Sequence, residues 1–277
     1  MSVESTVSEA IRAATERLSA TGDTARLDAE LLMAHTLGVS RSDMLLRHMR
    51  EPAPAGFVAL VERRAAREPV AYITGVQEFY GRSFAVGSGV LIPRGDTETV
   101  VEAALACAAR AARVLDLGTG SGALLLTVLA ERPGAEGVGI DASPDALALA
   151  ARNAAALGLD TRSAFHRRDW TDDGWDDGLG VFDLVLCNPP YVEDNAHLDP
   201  DVRDFEPAGA LYAGPEGLDD YRRLIPQLRA LLVEGGAAVF EIGHEQAEAV
   251  TAIARDHGFA AALHYDLGGR PRALVLT

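Results

Sequence analysis

Residues 114–126 read VLDLGTGSGALLL. An apolar run, a turn rich in glycine and a second apolar run describe a strand that opens into a helix. Gly118, Gly120 and Gly122 allow positive φ and a close approach of backbone to ligand, and the first N–H groups of the following helix have no partner within it. The spacing is GxGxG, tighter than the GxGxxG of dinucleotide-binding turns, and Asp116 precedes it on the strand. A carboxylate there repels a pyrophosphate but suits an ammonium group, directly or through water. Thr119 and Ser121 complete the turn, so Asp116 and the whole of 118–122 form the first set of candidate cofactor-binding residues.

The same grammar continues along the chain. RVLDL at 113–117 reads as a strand, 121–132 as a helix, EGVGID at 136–141 as a strand and 144–157 as a helix. There follow a strand near 162–167, VFDLVLC at 181–187, a helix near 217–233, GAAVFEIG at 236–243, a helix over 245–257 and two closing strands. Apolar strands alternating with helices predict an α/β, Rossmann-like, mostly parallel sheet with helices on both faces, whose ligands lie outside the C-terminal strand ends where strand order reverses. Asp141 ends the second strand roughly 20 residues after the turn, where an acid can accept both hydroxyls of a ribose. Asp169 and Trp170 end the third strand, placed to bind an adenine amino group and to pack on its ring.

The fourth strand runs into CNPPYVED at 187–194. Pro189 and Pro190 remove two backbone donors and fix φ, so the strand stops and Asn188 and Tyr191 flank a stiff turn. Asn188 and Pro189 offer an amide oxygen and a carbonyl as acceptors. Asn188, Pro189, Pro190 and Tyr191 are the candidate substrate-binding residues, with Asn188, Pro189 and Tyr191 closest to the chemistry and Asn188 also a candidate cofactor-binding residue.

Before residue 75 the pattern differs. Apolar residues recur at helical spacing from Val3 to about Arg67, with Leu27, Leu31, Leu32, Met33 and Leu37 as one stripe, Gly38 as a stop and Ser40 or Ser42 as the next cap. EPVAYITG at 68–75 breaks that spacing, and FYGRSFAVGSGVLI has the glycines and alternation of a β-hairpin. The expected organisation is a helical domain over 1–74, a hairpin linker over 75–92 and the α/β domain over 93–277.

Composition narrows the function. Of 277 residues, 41 are Asp or Glu and 25 are basic, a net charge of −16, and every basic residue is Arg. Such a chain repels a phosphate backbone unless its positive charges cluster. The two short clusters, ERRAARE at 62–68 and HRRD at 166–169, are flanked by acids and read as solvated faces. Direct nucleic-acid binding is therefore not expected. Cys107 and Cys187 lie far apart without a CxxC and read as core thiols, and no HExxH occurs, so neither a disulfide framework nor a metal site is expected. There is no long uncharged apolar run and no basic region leading into one, which predicts a cytoplasmic protein without a membrane span.

Taken together, Gly118–Gly122, Asp141, Asp169–Trp170 and Asn188–Tyr191 resemble the class I S-adenosylmethionine (AdoMet)-dependent methyltransferases that carry the NPPY motif and alkylate planar nitrogens. REPVAYITGVQEFYGRSFAV, VLIPRGDTE, DVRDFEPAGALYAGPEGLDDYR and FEIGHEQ are similar to one branch, the peptide-chain release factor glutamine methyltransferases (PrmC, also HemK), from about residue 26 onward. The resemblance implies AdoMet as cofactor. As substrate it implies the Gly-Gly-Gln glutamine of class I release factors, methylated on its side-chain amide nitrogen, with the helical domain helping to grip the factor. Glu206 and Pro207 would shape the substrate mouth. One position departs from the family pattern: Gly95 stands where Pro usually follows Pro93-Arg94, which loosens the backbone there. The competing readings are an N6-adenine DNA methyltransferase, a non-catalytic binding module on the same fold and a nicotinamide-dependent oxidoreductase.

Overall fold

The computed structural model describes residues 5–277. They divide into two compact units, one of residues 5–76 with Leu198–Phe205, the other of Gln77–His197 with Glu206–Thr277.

The first unit is helical. Thr6 and Glu9 form a reciprocal capping box that starts the helix Val7–Leu18, and Gly38, at φ 70°, ends the helix Ala25–Leu37. Ser40 accepts the Asp43 N–H and caps the next short turn. Val7, Ile11, Leu18, Leu32, Met33, Met44, Phe57 and Val61 form the core. Two expectations fail here. Leu27 and Leu31 are 42% and 37% exposed, because the buried face of this helix is built on Ala25, Ala29, Leu32 and Met33 instead. Arg64 of the ERRAARE cluster is buried, with Asp28 at 2.7 Å and Asp201 at 2.9 Å, so the cluster is not simply a solvated face. Asp201 belongs to the helix Pro200–Phe205, which packs with this unit although it follows NPPY in the chain.

The second unit opens with a hairpin, β1 (Val76–Phe79) and β2 (Arg82–Ala85), whose turn places Tyr80 and Gly81 at positive φ. Its main sheet contains β3 (Arg113–Leu117), β4 (Glu136–Asp141), β5 (Ser163–Arg167), β6 (Phe182–Cys187), β7 (Leu232–Glu241), β8 (Ala261–Tyr265) and β9 (Pro271–Leu276). Their order is β5-β4-β3-β6-β7-β9-β8. The first five are parallel, and β9 runs antiparallel to both β7 and β8. Period-two alternation sends Val114, Leu184, Leu186 and Val239 to one face, under the helices Glu98–Cys107 and Ala123–Glu131. Leu115, Leu117, Val185, Cys187 and Phe240 go to the other, under residues 219–231 and the helix Ala247–Asp256. This is the doubly wound sheet expected, and strand order reverses between β3 and β6.

Several boundaries move. The helix after the Gly-rich turn begins at Ala123, not 121, because Gly122 is still left-handed at φ 82°. The helix expected near 217–233 is split into Asp219–Leu224, a 3₁₀ turn holding Pro226, and Leu228–Leu231, since a proline cannot donate to the preceding turn. Strand β7 starts at Leu232, ahead of the expected 236. Cys107, expected in the core, is exposed at the end of its helix, whereas Cys187 is buried. The acidic stretch 171–180 is a surface loop pinned by Trp175, which is buried and donates through Nε1 to Gln227 at 2.8 Å. Among the described residues no helix is long and apolar enough to cross a membrane.

Candidate active site

The sheet register aligns the site. Leu117 pairs with Ile140 and with Cys187, and Cys187 pairs with Phe240. Gly118, Asp141, Asn188 and Glu241 each follow that row by one residue, so the sequence signals meet at one edge, at the reversal of strand order.

A cavity of about 580 Å³ opens there. It is lined by Gly118, Gly120, Asp141, Asp169, Trp170, Asn188 and Pro190, which gathers sequence-predicted residues from four successive loops. Its size is that of a small-molecule site. Asp116, Thr119, Ser121, Gly122, Pro189 and Tyr191 are not part of this lining.

Five of these seven, Gly118, Gly120, Asp141, Asp169 and Trp170, are held by nameable contacts. The Gly118 and Thr119 N–H groups both donate to the Ile140 carbonyl, at 3.0 and 2.8 Å, folding the turn over the end of β4. Gly118 has φ 71°, and a β-carbon on it would lie 3.0 Å from Trp170 Cη2. Asp141 accepts the Gly120 N–H through Oδ2 and the Ser143 N–H through Oδ1, both at 2.9 Å. Each of its oxygens keeps further lone pairs, so the side chain can still accept from a ligand. Burial pushes its carboxyl up, against the pull of those two N–H bonds.

Asp169 and Trp170 lie beyond β5, which ends at Arg167, rather than at its last position. The Thr171 hydroxyl and N–H both donate to Asp169 Oδ1, at 2.7 and 2.8 Å, and hold its carboxyl below the usual range. Trp170 Nε1 donates to Asp220 Oδ1 at 2.8 Å while the ring also packs on the second core face, so one side chain serves both cavity wall and core.

Asp116 and Asn188 share a feature. Asp116 is 1% exposed, accepts the Thr119 hydroxyl at Oδ2 (2.6 Å), and leaves Oδ1 buried with no hydrogen-bond partner. Desolvation raises its carboxyl to about 7, opposed by the Thr119 bond. Asn188 likewise leaves Oδ1 buried and unbonded at the cavity. Buried polar atoms are nearly always bonded, so these two acceptors, like Thr97 Oγ1 and Thr127 Oγ1 elsewhere in the fold, are each able to take a further donor. Tyr191, by contrast, is engaged: its phenol donates to Glu241 Oε1 at 3.1 Å and its carbonyl accepts from Gln246 Nε2 at 3.0 Å.

Some contributors were not legible beforehand. Asn153 accepts the Ala85 N–H at 2.7 Å and donates to the carbonyls of Ala85 (3.0 Å) and Ser121 (2.8 Å), supporting the turn from beneath. It sits mid-helix with no local signal. The cavity is also walled by Gly89–Leu91 and by parts of 207–214. Glu206, expected with Pro207 at the substrate mouth, is 5% exposed and joins these two walls by contacts that the sequence did not show: it accepts the Ile92 N–H at 3.1 Å and bonds from the Arg94 guanidinium. Val192 and Tyr212 form a parallel bridge, so residues just past NPPY brace the same wall.

Family models match two stretches, the PrmC N-terminal domain at residues 9–75 and a methyltransferase domain at 109–215. A release factor glutamine methyltransferase of Rhodospirillum rubrum is 44% identical over 90% of this chain and 78% of its own. Those of Cereibacter sphaeroides, 43% identical over 95% of both chains, and Mycolicibacterium smegmatis, 40% identical over 97% of this chain and 96% of its own, match almost end to end. Among solved structures, the hMettl16 catalytic domain superposes with a TM-score of 0.54 at 13% identity, covering 81% of this chain and 91% of that one. A Pyrococcus furiosus methyltransferase superposes at 0.50 and 13%, covering 80% and 98%. These two are likenesses of fold. Identity of 40 to 44% over nine-tenths or more of the chain carries more: the chain belongs to the release factor glutamine methyltransferase family.

Proposed function

We propose that the chain transfers a methyl group from AdoMet to the side-chain amide nitrogen of the Gly-Gly-Gln glutamine in class I release factors, acting in the cytoplasm, with the helical unit taking hold of the factor. The observation that carries this reading is the Asn188 Oδ1, buried at the cavity and without a partner. An amide NH₂ is the donor that such an acceptor lacks.

The cavity residues fit the cofactor. Asp141 would take the ribose hydroxyls with the capacity left after its two backbone bonds. The orphaned oxygen of Asp116 would face the methionine ammonium, directly or through water, and Trp170 with Asp169 would receive the adenine. Gly118, Gly120 and the turn residues Thr119, Ser121 and Gly122 bring backbone close enough for that fit. When bound, AdoMet supplies an electrophilic methyl on a sulfonium.

The protein's task is the nucleophile. An amide nitrogen is weak because its lone pair is delocalised into the carbonyl. Asn188 Oδ1 and the Pro189 carbonyl would accept hydrogen bonds from its two N–H groups, pointing the nitrogen along the line of attack and favouring pyramidal geometry. One N–H proton would leave after the methyl has transferred, since a neutral amide oxygen is no base. Each bond is worth roughly 0.5–1.5 kcal/mol net, whereas fixed near-attack geometry can supply roughly 7–11 kcal/mol. Orientation therefore dominates. Pro189 and Pro190 keep the turn rigid, and the Tyr191 ring would pack against the planar amide.

The reading is tested by transfer of labelled methyl to three acceptors in parallel: a class I release factor, the same factor with its Gly-Gly-Gln glutamine changed to alanine, and duplex DNA. Label confined to the intact factor is expected. Label in DNA, or label persisting in the altered factor, would contradict it.

A further inference from the structure

Glu241 is the last residue of β7 and stands beside Asn188 at the sheet edge, because Cys187 pairs with Phe240. It is 1% exposed. Its Oε1 accepts the Tyr191 phenol at 3.1 Å, the buried Thr97 hydroxyl also bears on its carboxylate, and its backbone carbonyl accepts the Tyr221 phenol at 2.8 Å. Burial pushes its carboxyl up. The nearby buried guanidinium, Arg272, bonds Asp96 at 2.9 Å rather than Glu241. Taking a carboxylate out of water costs free energy that an apolar side chain of its size would not.

The group that Glu241 does hold is Tyr191, and it is not alone in doing so. Gln246 accepts the Gly243 N–H at 3.0 Å and donates through Nε2 to the carbonyls of Tyr191 and Gly217, each at 3.0 Å. Gly217 has φ 65°, and a β-carbon there would collide with the Tyr191 carbonyl, so this clamp closes only over glycine. Tyr191 is thus fixed at its backbone by Gln246 and at its ring tip by Glu241, three residues from an Asn188 whose acceptor oxygen is left open. A ring fixed at both ends, three residues past an unbonded acceptor, has a set position.

We propose that Glu241 is a positioning residue for the methyl acceptor: by holding the Tyr191 phenol it fixes the ring that confines the planar amide beside Asn188. This rests on the reading of Asn188 and Tyr191 as the acceptor site. Misplacement of a reacting group by about 1 Å can lower turnover roughly 100-fold, so a ring freed to move should be felt in kcat.

The test uses the full-length protein, a release factor as acceptor and calorimetric AdoMet binding. Glu241→Leu should lower kcat roughly 10- to 100-fold with AdoMet Kd within about two-fold of wild type. Glu241→Gln, which keeps an acceptor oxygen for the phenol, should stay within about three-fold of wild type. Tyr191→Phe removes the same bond from its other side and should also lower kcat; it carries the test if Glu241→Leu does not fold. The double variant Glu241→Leu/Tyr191→Phe should be no slower than Tyr191→Phe alone. Wild-type kcat in Glu241→Leu or in Tyr191→Phe, losses that multiply in the double variant, or a Glu241→Gln as impaired as the leucine variant would overturn the inference alone. A wild-type chain that binds AdoMet and methylates no glutamine would overturn the acceptor-site reading and this inference with it.

Discussion

Gly118 and Trp170 are in contact through a gap only a glycine leaves: a β-carbon on Gly118 would lie 3.0 Å from Trp170 Cη2, and φ there is 71°. The turn after β3 and the ring after β5 therefore shape one wall together. A non-glycine residue meets both the strain of left-handed backbone, roughly 1–2 kcal/mol, and the ring itself. Gly118→Ala should weaken AdoMet binding roughly ten-fold or more, read by titration calorimetry. Unchanged affinity would mean that the ring yields freely and the wall is not shared.

Asp116 gives the fold a pH dependence near neutrality. Its carboxyl, raised to about 7 in the fold from an ordinary 3.8, is protonated in the folded chain over a range where the unfolded chain has lost the proton. Its contribution to stability is present below about 4 and is lost as pH rises through about 7. Asp116→Asn, which keeps an oxygen for the Thr119 hydroxyl, should melt no lower than wild type in acid and higher above neutrality. A ligand ammonium facing Asp116 favours the charged form, so AdoMet binding near pH 6.5 should release a proton in wild type and not in the Asn variant. Calorimetry in buffers of different ionisation enthalpy reads this.

Arg64 is the structural counterpart in the helical unit. It pairs with the buried Asp28 and with Asp201, and because Asp201 also keeps Arg67 at 2.5 Å it is Asp28 that Arg64→Ala leaves uncompensated, which should destabilise by roughly 3–5 kcal/mol in denaturant unfolding of the full chain. Arg12, whose pair with Glu16 is exposed at 72% and 69%, should change stability by less than about 1 kcal/mol on the same substitution.

The two cysteines should separate by reactivity. Cys107 is exposed, whereas Cys187 is buried beneath the site and its thiol is pushed well up by desolvation. A maleimide should label the native protein at Cys107 alone, read by peptide mass spectrometry, and Cys107→Ser should leave methyl transfer unchanged. Labelling at Cys187 without unfolding would show that the strand end opens.

The sheet was legible because its strands are apolar on both faces and each ends in a turn with its own chemistry, Gly118–Gly122 and Asn188–Tyr191 above all. Those residues are local signals: glycine spacing and paired prolines act on their own backbone. What could not be read depends on contacts distant in sequence. Nothing near Asn153 or Glu206 shows that one supports Ser121 and the other joins Ile92 to the opposite wall. The stripe through Leu27 and Leu31 failed for a related reason, since small residues, Ala25 and Ala29, face the neighbouring helices and leucines turn outward. Arg64 read as surface because its partner Asp201 lies beyond NPPY in the chain.

Asn188→Ala removes the side-chain acceptor oxygen of the proposed amide site, keeps the Pro189 carbonyl, and leaves Asp116, Asp141 and Trp170 in place. AdoMet affinity by calorimetry and labelled methyl transfer to a release factor should be measured on the same preparation. Transfer reduced at least roughly 100-fold with AdoMet Kd within a few-fold of wild type is the expected result. Near-wild-type transfer would contradict the role given to Asn188, and with it the reading of the NPPY turn as the place where the glutamine amide is held.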